Sequence, residues 1–137
     1  MLAMNSTVLH VDDDPVTTRV IAVQLRKFGI NVTAVNDPFE AMSCLRRGNF
    51  GLVILDVDMP GIDGFDLLEQ IKQYDSDIRV VMLTGRATTN TVIRSRQKGA
   101  EACFFKPLAN VGALADAIQN ATSVAAAHGG VSKIAPA

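Results

Sequence analysis

The sequence predicts a doubly wound α/β fold, a five-stranded parallel sheet in the order 2-1-3-4-5 with five helices. Three observations predict it. Short apolar runs alternate with amphipathic segments along most of the chain, the pattern of repeated βα units. One run, Leu52-Val53-Ile54-Leu55, is apolar without a break, as suits a central strand buried on both faces of a parallel sheet. Distinctive polar residues (Asp12, Asp56, Thr84 and Lys106) fall where the runs stop.

Each element has its own signal. Val8–Val11 is a short apolar run, interrupted only by His10, that ends at three aspartates. Asp14-Pro15 reads as an N-cap followed by proline at the first helical position. The first helix is predicted over residues 15–28, with Val16, Val20, Val23 and Phe28 near one face and Gly29 as its stop. Residues 31–35 form a β-branched strand. Asp37 and Glu40 then have capping-box spacing for a second helix carrying Phe39, Met42 and Leu45 and stopping at Gly48.

After the third strand, Met59-Pro60-Gly61 and Asp63-Gly64 mark turns, the second of them a helix start. The third helix carries Phe65, Leu68 and Ile71. Residues 78–83 form the fourth strand, ending at Thr84-Gly85. Residues 88–98 read as a weak, threonine-rich helix that stops at Gly99, because β-branched side chains lose freedom in a helix. Residues 101–105 form the fifth strand, followed by Lys106-Pro107, and the last helix is predicted over residues 111–121. At this size the alternation fits the flavodoxin-like strand order.

The 137 residues, 48% hydrophobic and 20% charged, suit one domain with a substantial core. The domain is predicted over residues 1–121, with 122–137, rich in Ala and Gly, as a flexible tail or the start of a linker. A net charge of −1 gives no bulk attraction to nucleic acid or to anionic membrane. Cys44 and Cys103 stand alone, forming neither a zinc motif nor a disulfide framework, and read as buried thiols. Residues 1–7 lack the basic and apolar regions of a signal peptide, and no apolar run is long enough to span a bilayer, so a cytoplasmic location is expected.

In an open parallel sheet the carboxyl ends of the strands share one edge, where ligands bind. Asp12, Asp13, Asp56, Thr84 and Lys106 should therefore meet in space although they span positions 12 to 106. Carboxylates crowded together must protonate, separate or bind a cation. Oxygen ligands with access to water suit Mg²⁺. A metal there can bridge a carboxylate and a phosphoryl oxygen, with Lys106 and Thr84 holding the other oxygens by charge and hydrogen bond. An aspartate could then act as nucleophile and form an acyl phosphate.

These pieces resemble those of bacterial response-regulator receiver domains, single-domain chemotaxis regulators among them. The likeness covers roughly residues 7–121 and rests on Val11-Asp12-Asp13-Asp14-Pro15, Leu55-Asp56-Val57-Asp58-Met59-Pro60-Gly61 with Asp63-Gly64, Leu83-Thr84-Gly85, and Lys106-Pro107. The resemblance implies a phosphoacceptor switch of a two-component phosphorelay, not an enzyme in its own right. Asp56 would be the acceptor. Mg²⁺ (or Mn²⁺) would be held by Asp13, Asp56 and the Asp58 backbone carbonyl, with Asp12 acting mainly through a metal-bound water. Thr84 and Lys106 would contact the phosphoryl group, and the Lys106-Pro107 bond would be cis.

The donor would be a histidine kinase or a histidine phosphotransfer protein. Output would pass to a protein target through the surface of the fourth helix, fifth strand and fifth helix, from a monomer or weak dimer, with no direct nucleic-acid or membrane contact. Receiver domains often carry an aromatic switch residue three positions before the lysine. Here that position is Cys103, and strand alternation puts Phe104 on the opposite face. Arg86 and Asp58 are expected to pair across the mouth of the site and modulate the lifetime of the phosphoryl group. His10 reads as structural, and His128 lacks the helix expected of a phosphohistidine. Two other functions fit parts of the pattern. Asp56-Val57-Asp58 is similar to the DxD start of haloacid-dehalogenase-type phosphatases, and a pseudo-receiver would dock partners without phosphorylation.

Overall fold

The computed structural model describes residues 8–86 and 88–127. Five parallel strands form the sheet: β1 (Val8–Val11), β2 (Val32–Val35), β3 (Leu52–Leu55), β4 (Arg79–Thr84) and β5 (Ala102–Phe105). Their order is β2-β1-β3-β4-β5, the doubly wound arrangement predicted. The helices are α1 (Pro15–Arg26), α2 (Ala41–Arg47), α3 (Gly64–Tyr74), α4 (Thr89–Gln97) and α5 (Val111–Ala127).

Strand alternation divides the interior into two cores. Leu9, Val11, Val53, Leu55, Val80 and Met82 face one side and pack with Phe65, Leu68 and Ile71 of α3. Val8, Leu52, Ile54, Val81 and Leu83 face the other and pack with Ile21 and Leu25 of α1 and Leu114 and Ile118 of α5. All four residues of β3 are buried, as its unbroken apolar run requires.

Side-chain caps form at the starts of α1 and α3 and of the 3₁₀ turn Pro38–Glu40, whereas α2 itself starts at Glu40 without the side-chain cap expected of a capping box. Asp14 accepts from the Val16 amide, Asp37 from Phe39 and Asp63 from Phe65. Gly29 and Gly99 end their helices at φ of 78° and 100°, where a side chain would be strained.

The structure settles some points that the sequence left open and departs from the expectations at others. In α1 the sheet-facing residues are Thr18, Ile21 and Leu25, while Val16, Val20, Val23 and Phe28 are exposed, Val16 by 67%. The helix carries apolar residues on two faces, and periodicity alone does not say which one meets the sheet. Phe39 is likewise 68% exposed, because a 3₁₀ turn (Pro38–Glu40) precedes α2 and turns its ring outward. Cys44 and Cys103 are free thiols but only half-buried.

A two-residue antiparallel ladder, Asp58–Met59 with Ile62–Asp63, was not expected after β3. Pro60-Gly61 closes it, with Gly61 at φ 79°, as a proline–glycine turn demands. Finally, α5 runs to Ala127 rather than stopping at 121, in keeping with the high helix propensity of its alanines. Residues 1–7, His128 and the rest of the predicted tail lie outside the described residues.

Candidate functional site

β1 and β3 are adjacent and in register, Val11 opposite Leu55, so Asp12 and Asp56 leave the sheet side by side. Carboxylate oxygens of Asp12, Asp13 and Asp56 lie within 4.8 Å of one another. Asp12 and Asp56 are buried and Asp13 is exposed, so the cluster has a solvent side. β5 brings in the cation. Lys106 Nζ donates to Asp12 Oδ2 at 2.8 Å and lies 3.3 Å from Asp56 Oδ2. The Lys106-Pro107 peptide bond that follows is cis.

Asp12 is fully engaged within the protein. Its Oδ1 accepts the Asp14 amide at 3.0 Å, and its backbone carbonyl accepts from Asn36 Nδ2 at 2.9 Å. The Asn36 amide also donates to Thr18 Oγ1, which ties the end of β2 to α1. Asp56 Oδ1 accepts only the Asp58 amide, at 3.3 Å. Burial, followed by the Asp12 charge, pushes the Asp56 carboxyl up to about 6, and Lys106 opposes both. Burial alone would lower the Lys106 ammonium, but Asp12 and Asp56 together outweigh it and hold its pKa above the usual lysine value.

Thr84 ends β4 fully buried, and its hydroxyl oxygen accepts the Arg86 amide at 3.0 Å. Its backbone carbonyl accepts the Lys106 amide at 2.8 Å, which couples the ends of β4 and β5. Arg86 and Asp58 pair at 2.7 Å with both side chains well exposed. Cys103 packs into the α3-side core and Phe104 into the α1/α5-side core, so the neighbouring aromatic does not fill the cysteine's place. Burial pushes the Cys103 thiol up, opposed by a hydrogen bond with Ser95 of α4.

Two residues matter here whose part in the site the sequence does not reveal, and a third, His10, sits where its structural reading puts it. Asn36 anchors the backbone of Asp12. Gly64, read only as a turn and helix start, presses against the backbone of Asp56. A Cβ there would sit 2.2 Å from the Asp56 carbonyl oxygen and 2.6 Å from Val57 Cα. A glycine at the first position of a helix that needs no left-handed turn was the available signal. His10 is buried beneath the site with neither ring nitrogen hydrogen-bonded, and burial lowers its pKa to about 4.

The donor set fits a small divalent cation. Three carboxylates converge with only one ammonium against them, every donor is oxygen, and the exposed side leaves room for water. Fold and site together define an α/β domain whose strand ends gather an all-oxygen acidic cluster, with a buried carboxylate at its base.

Residues 8–119 match the family of response regulator receiver domains, and the chain belongs to that family. It is 42% identical over 103 residues to the two-component response regulator ORR22 of Oryza sativa subsp. indica, covering 74% of this chain and 15% of the relative. It is 32% identical over 101 residues to the sensor histidine kinase RcsC of Escherichia coli, covering 74% of this chain and 11% of that protein. The chain therefore spans less than one fifth of these relatives. A response regulator from Burkholderia pseudomallei, solved with a phosphorylated aspartic acid, a calcium ion and citrate, superposes with a TM-score of 0.75. The two are 28% identical, covering 89% of this chain and 72% of that one. Among the described residues no helix is long and apolar enough to cross a membrane.

Proposed function

We propose that the chain is a phosphoacceptor switch that takes a phosphoryl group onto Asp56 from a phosphohistidine on a histidine kinase or histidine phosphotransfer protein. The convergence of Asp12, Asp13 and Asp56 under Lys106 carries this reading. An Asp56 carboxylate oxygen attacks phosphorus, the P–N bond breaks, and the imidazole nitrogen keeps the electron pair. Mg²⁺ or Mn²⁺, held by Asp13, Asp56 and the Asp58 carbonyl, and through water by Asp12, would neutralise charge on the phosphoryl oxygens. Lys106 compensates the carboxylates in the resting site and takes a phosphoryl oxygen in the loaded one. Thr84 supplies a hydroxyl once it releases the Arg86 amide. Asp58 and Arg86, paired at the rim, limit the access of hydrolytic water.

The exposed apolar ridge of Val16, Val20 and Val23 supports a helical donor. Val16 and Val20 line one cleft with Lys106 and Pro107, so a helix lying on the ridge reaches the site. The relative that is itself a sensor histidine kinase and the phosphorylated aspartate in the Burkholderia regulator support the same chemistry. Output through the face of α4, β5 and α5 and a cytoplasmic location complete the reading.

The phosphatase alternative needs Asp58 as an acid over Asp56. Instead Asp58 points to the rim and is held by Arg86. The test is incubation with a small acyl phosphate and Mg²⁺, followed by intact-mass detection. One labile phosphoryl group per chain, absent in Asp56→Asn, is expected. Turnover of p-nitrophenyl phosphate would favour the phosphatase, and no uptake at all a pseudo-receiver.

A further inference from the structure

Among the described residues, β2 and β5 are the outer strands of the sheet, each paired on one side only. The two edges differ in how they are guarded. β5 is flanked directly by Glu101 and Lys106, whereas residues 28–36, which contain the whole of β2, hold no charged residue and no proline. Charges and prolines are the usual means by which an edge strand avoids pairing with another chain. β2 lies parallel to β1, Val8 opposite Val32 and His10 opposite Ala34. The Val8 amide donates to the Asn31 carbonyl at 2.9 Å, and the Asp12 amide to that of Val35 at 3.1 Å. Alternate residues of a parallel strand turn their backbone groups to opposite sides, so Val32 and Ala34 direct their amides and carbonyls to the open edge. Side chains leave that edge clear, with Thr33 and Ala34 exposed and Val32 half-buried.

We propose that β2 pairs antiparallel with β2 of a second copy of this chain, joining the two sheets edge to edge. A two-fold axis through Thr33, perpendicular to the sheet, sets Val32 opposite Ala34 of the second copy and Ala34 opposite Val32 of the second copy. The outward amides and carbonyls of these residues then exchange hydrogen bonds in both directions. The two Thr33 side chains meet on the axis as a non-hydrogen-bonded pair, the closer of the two kinds. With no charge on the strand, laying it against its own copy sets no like charges opposite each other. A foreign extended segment would use the same backbone groups but would gain nothing from the match at Thr33, so the second copy is the occupant that fits. A strand of four residues buries little area, so the dimer is weak and forms at high concentration. The inference goes beyond the phosphoacceptor reading and does not rest on it.

The test is sedimentation velocity of the full chain from about 10 µM to about 1 mM, the range of weak association. A monomer–dimer equilibrium is expected. Ala34→Pro removes an outward amide that β1 does not use and should weaken the dimer at least tenfold. Thr33→Lys and Thr33→Glu each place like charges on the axis and should weaken it as much. An equimolar mixture of these two variants should recover a dimer at least as tight as that of the unaltered chain, because opposite charges then face each other. Thr33 is exposed, so this pair of variants decides the matter even where circular dichroism shows that Ala34→Pro has altered the fold. Ile93→Ser, on the exposed surface of α4, should leave association unchanged. A chain that stays monomeric throughout, leaving the edge to a different segment, would overturn the proposal. So would a dimer undiminished by the Thr33 variants, a mixture that recovers nothing, or a dimer lost on Ile93→Ser.

Discussion

The Lys106 ammonium donates to the Asp12 carboxylate at 2.8 Å, joining the carboxyl ends of β5 and β1. The Asp12 side chain is 1% exposed and that of Lys106 25%, so the carboxylate depends on this partner far more than the lysine does. Removing one member of a buried pair leaves a charge without compensation.

Lys106→Met should therefore destabilise the metal-free protein by about 1–3 kcal/mol, less than a fully buried pair because the lysine is partly solvated. Millimolar Mg²⁺ should recover part of the loss by taking over the carboxylates. Urea unfolding with and without Mg²⁺ reads both effects. An unchanged midpoint in EDTA would count against the compensating role.

Two groups beneath and within the site give opposite pH dependences. Asp56 titrates at about 6 in the fold against an ordinary 3.8, so its contribution is fully present below about 3.8 and is lost as pH rises through 6. His10 titrates at about 4 against 6.5, so its contribution is present above 6.5 and is lost as pH falls through 4. The two largely cancel in the unaltered metal-free chain. Asp56→Asn should expose the histidine dependence, with stability rising by about 3 kcal/mol between pH 4 and 6.5. His10→Leu should expose the opposite slope. Urea midpoints across that range measure this, and matching slopes in the two variants would contradict it.

Gly64→Ala should cost about 1–3 kcal/mol, because the added Cβ meets backbone at 2.2 Å and backbone cannot swing away. The same displacement moves the Asp56 main chain, so phosphoryl uptake should slow as well. Gly85→Ala, with nothing within 4 Å of its Cβ, serves as the control and should change stability by less than about 0.5 kcal/mol. Equal effects at the two glycines would show that the close approach is not limiting.

Arg86→Ala and Asp58→Ala should each leave stability within about 1 kcal/mol, as for exposed ion pairs generally. Both should change the dephosphorylation rate of the loaded protein, measured as decay of the phosphorylated mass after the donor is removed. Unaltered decay in both variants would remove the pair from the chemistry.

The parts of the site legible in sequence were those set by topology. A strand's end is marked by its last apolar residue, and parallel strands bring such ends to one edge, so Asp12, Asp13, Asp56, Thr84 and Lys106 could be placed from Leu52–Leu55 and its counterparts. The missed residues act through tertiary contact. Asn36 looks like any strand-end asparagine until its amide is seen on the Asp12 carbonyl, and Gly64 until the Asp56 backbone is seen beneath it. Which face of α1 meets the sheet was not legible for a related reason. Valines every three or four positions mark an apolar face, and an exposed ridge has the same spacing as a core.

The inner face of α4 buries Thr91 and Ser95, where the other helices bury leucine and isoleucine. Ser95 donates to the Thr91 carbonyl, and Cys103 beneath it is bonded to Ser95. A helix seated on apolar side chains resists being shifted, since every methyl group withdrawn from its contacts leaves a void. One seated on hydroxyls can exchange one partner for another at a net cost of about 1 kcal/mol per bond. In this chain, with a thiol at the position of the expected aromatic, α4 is the helix whose seat exchanges partners at least cost, and the proposed switch would act through that helix rather than through a ring.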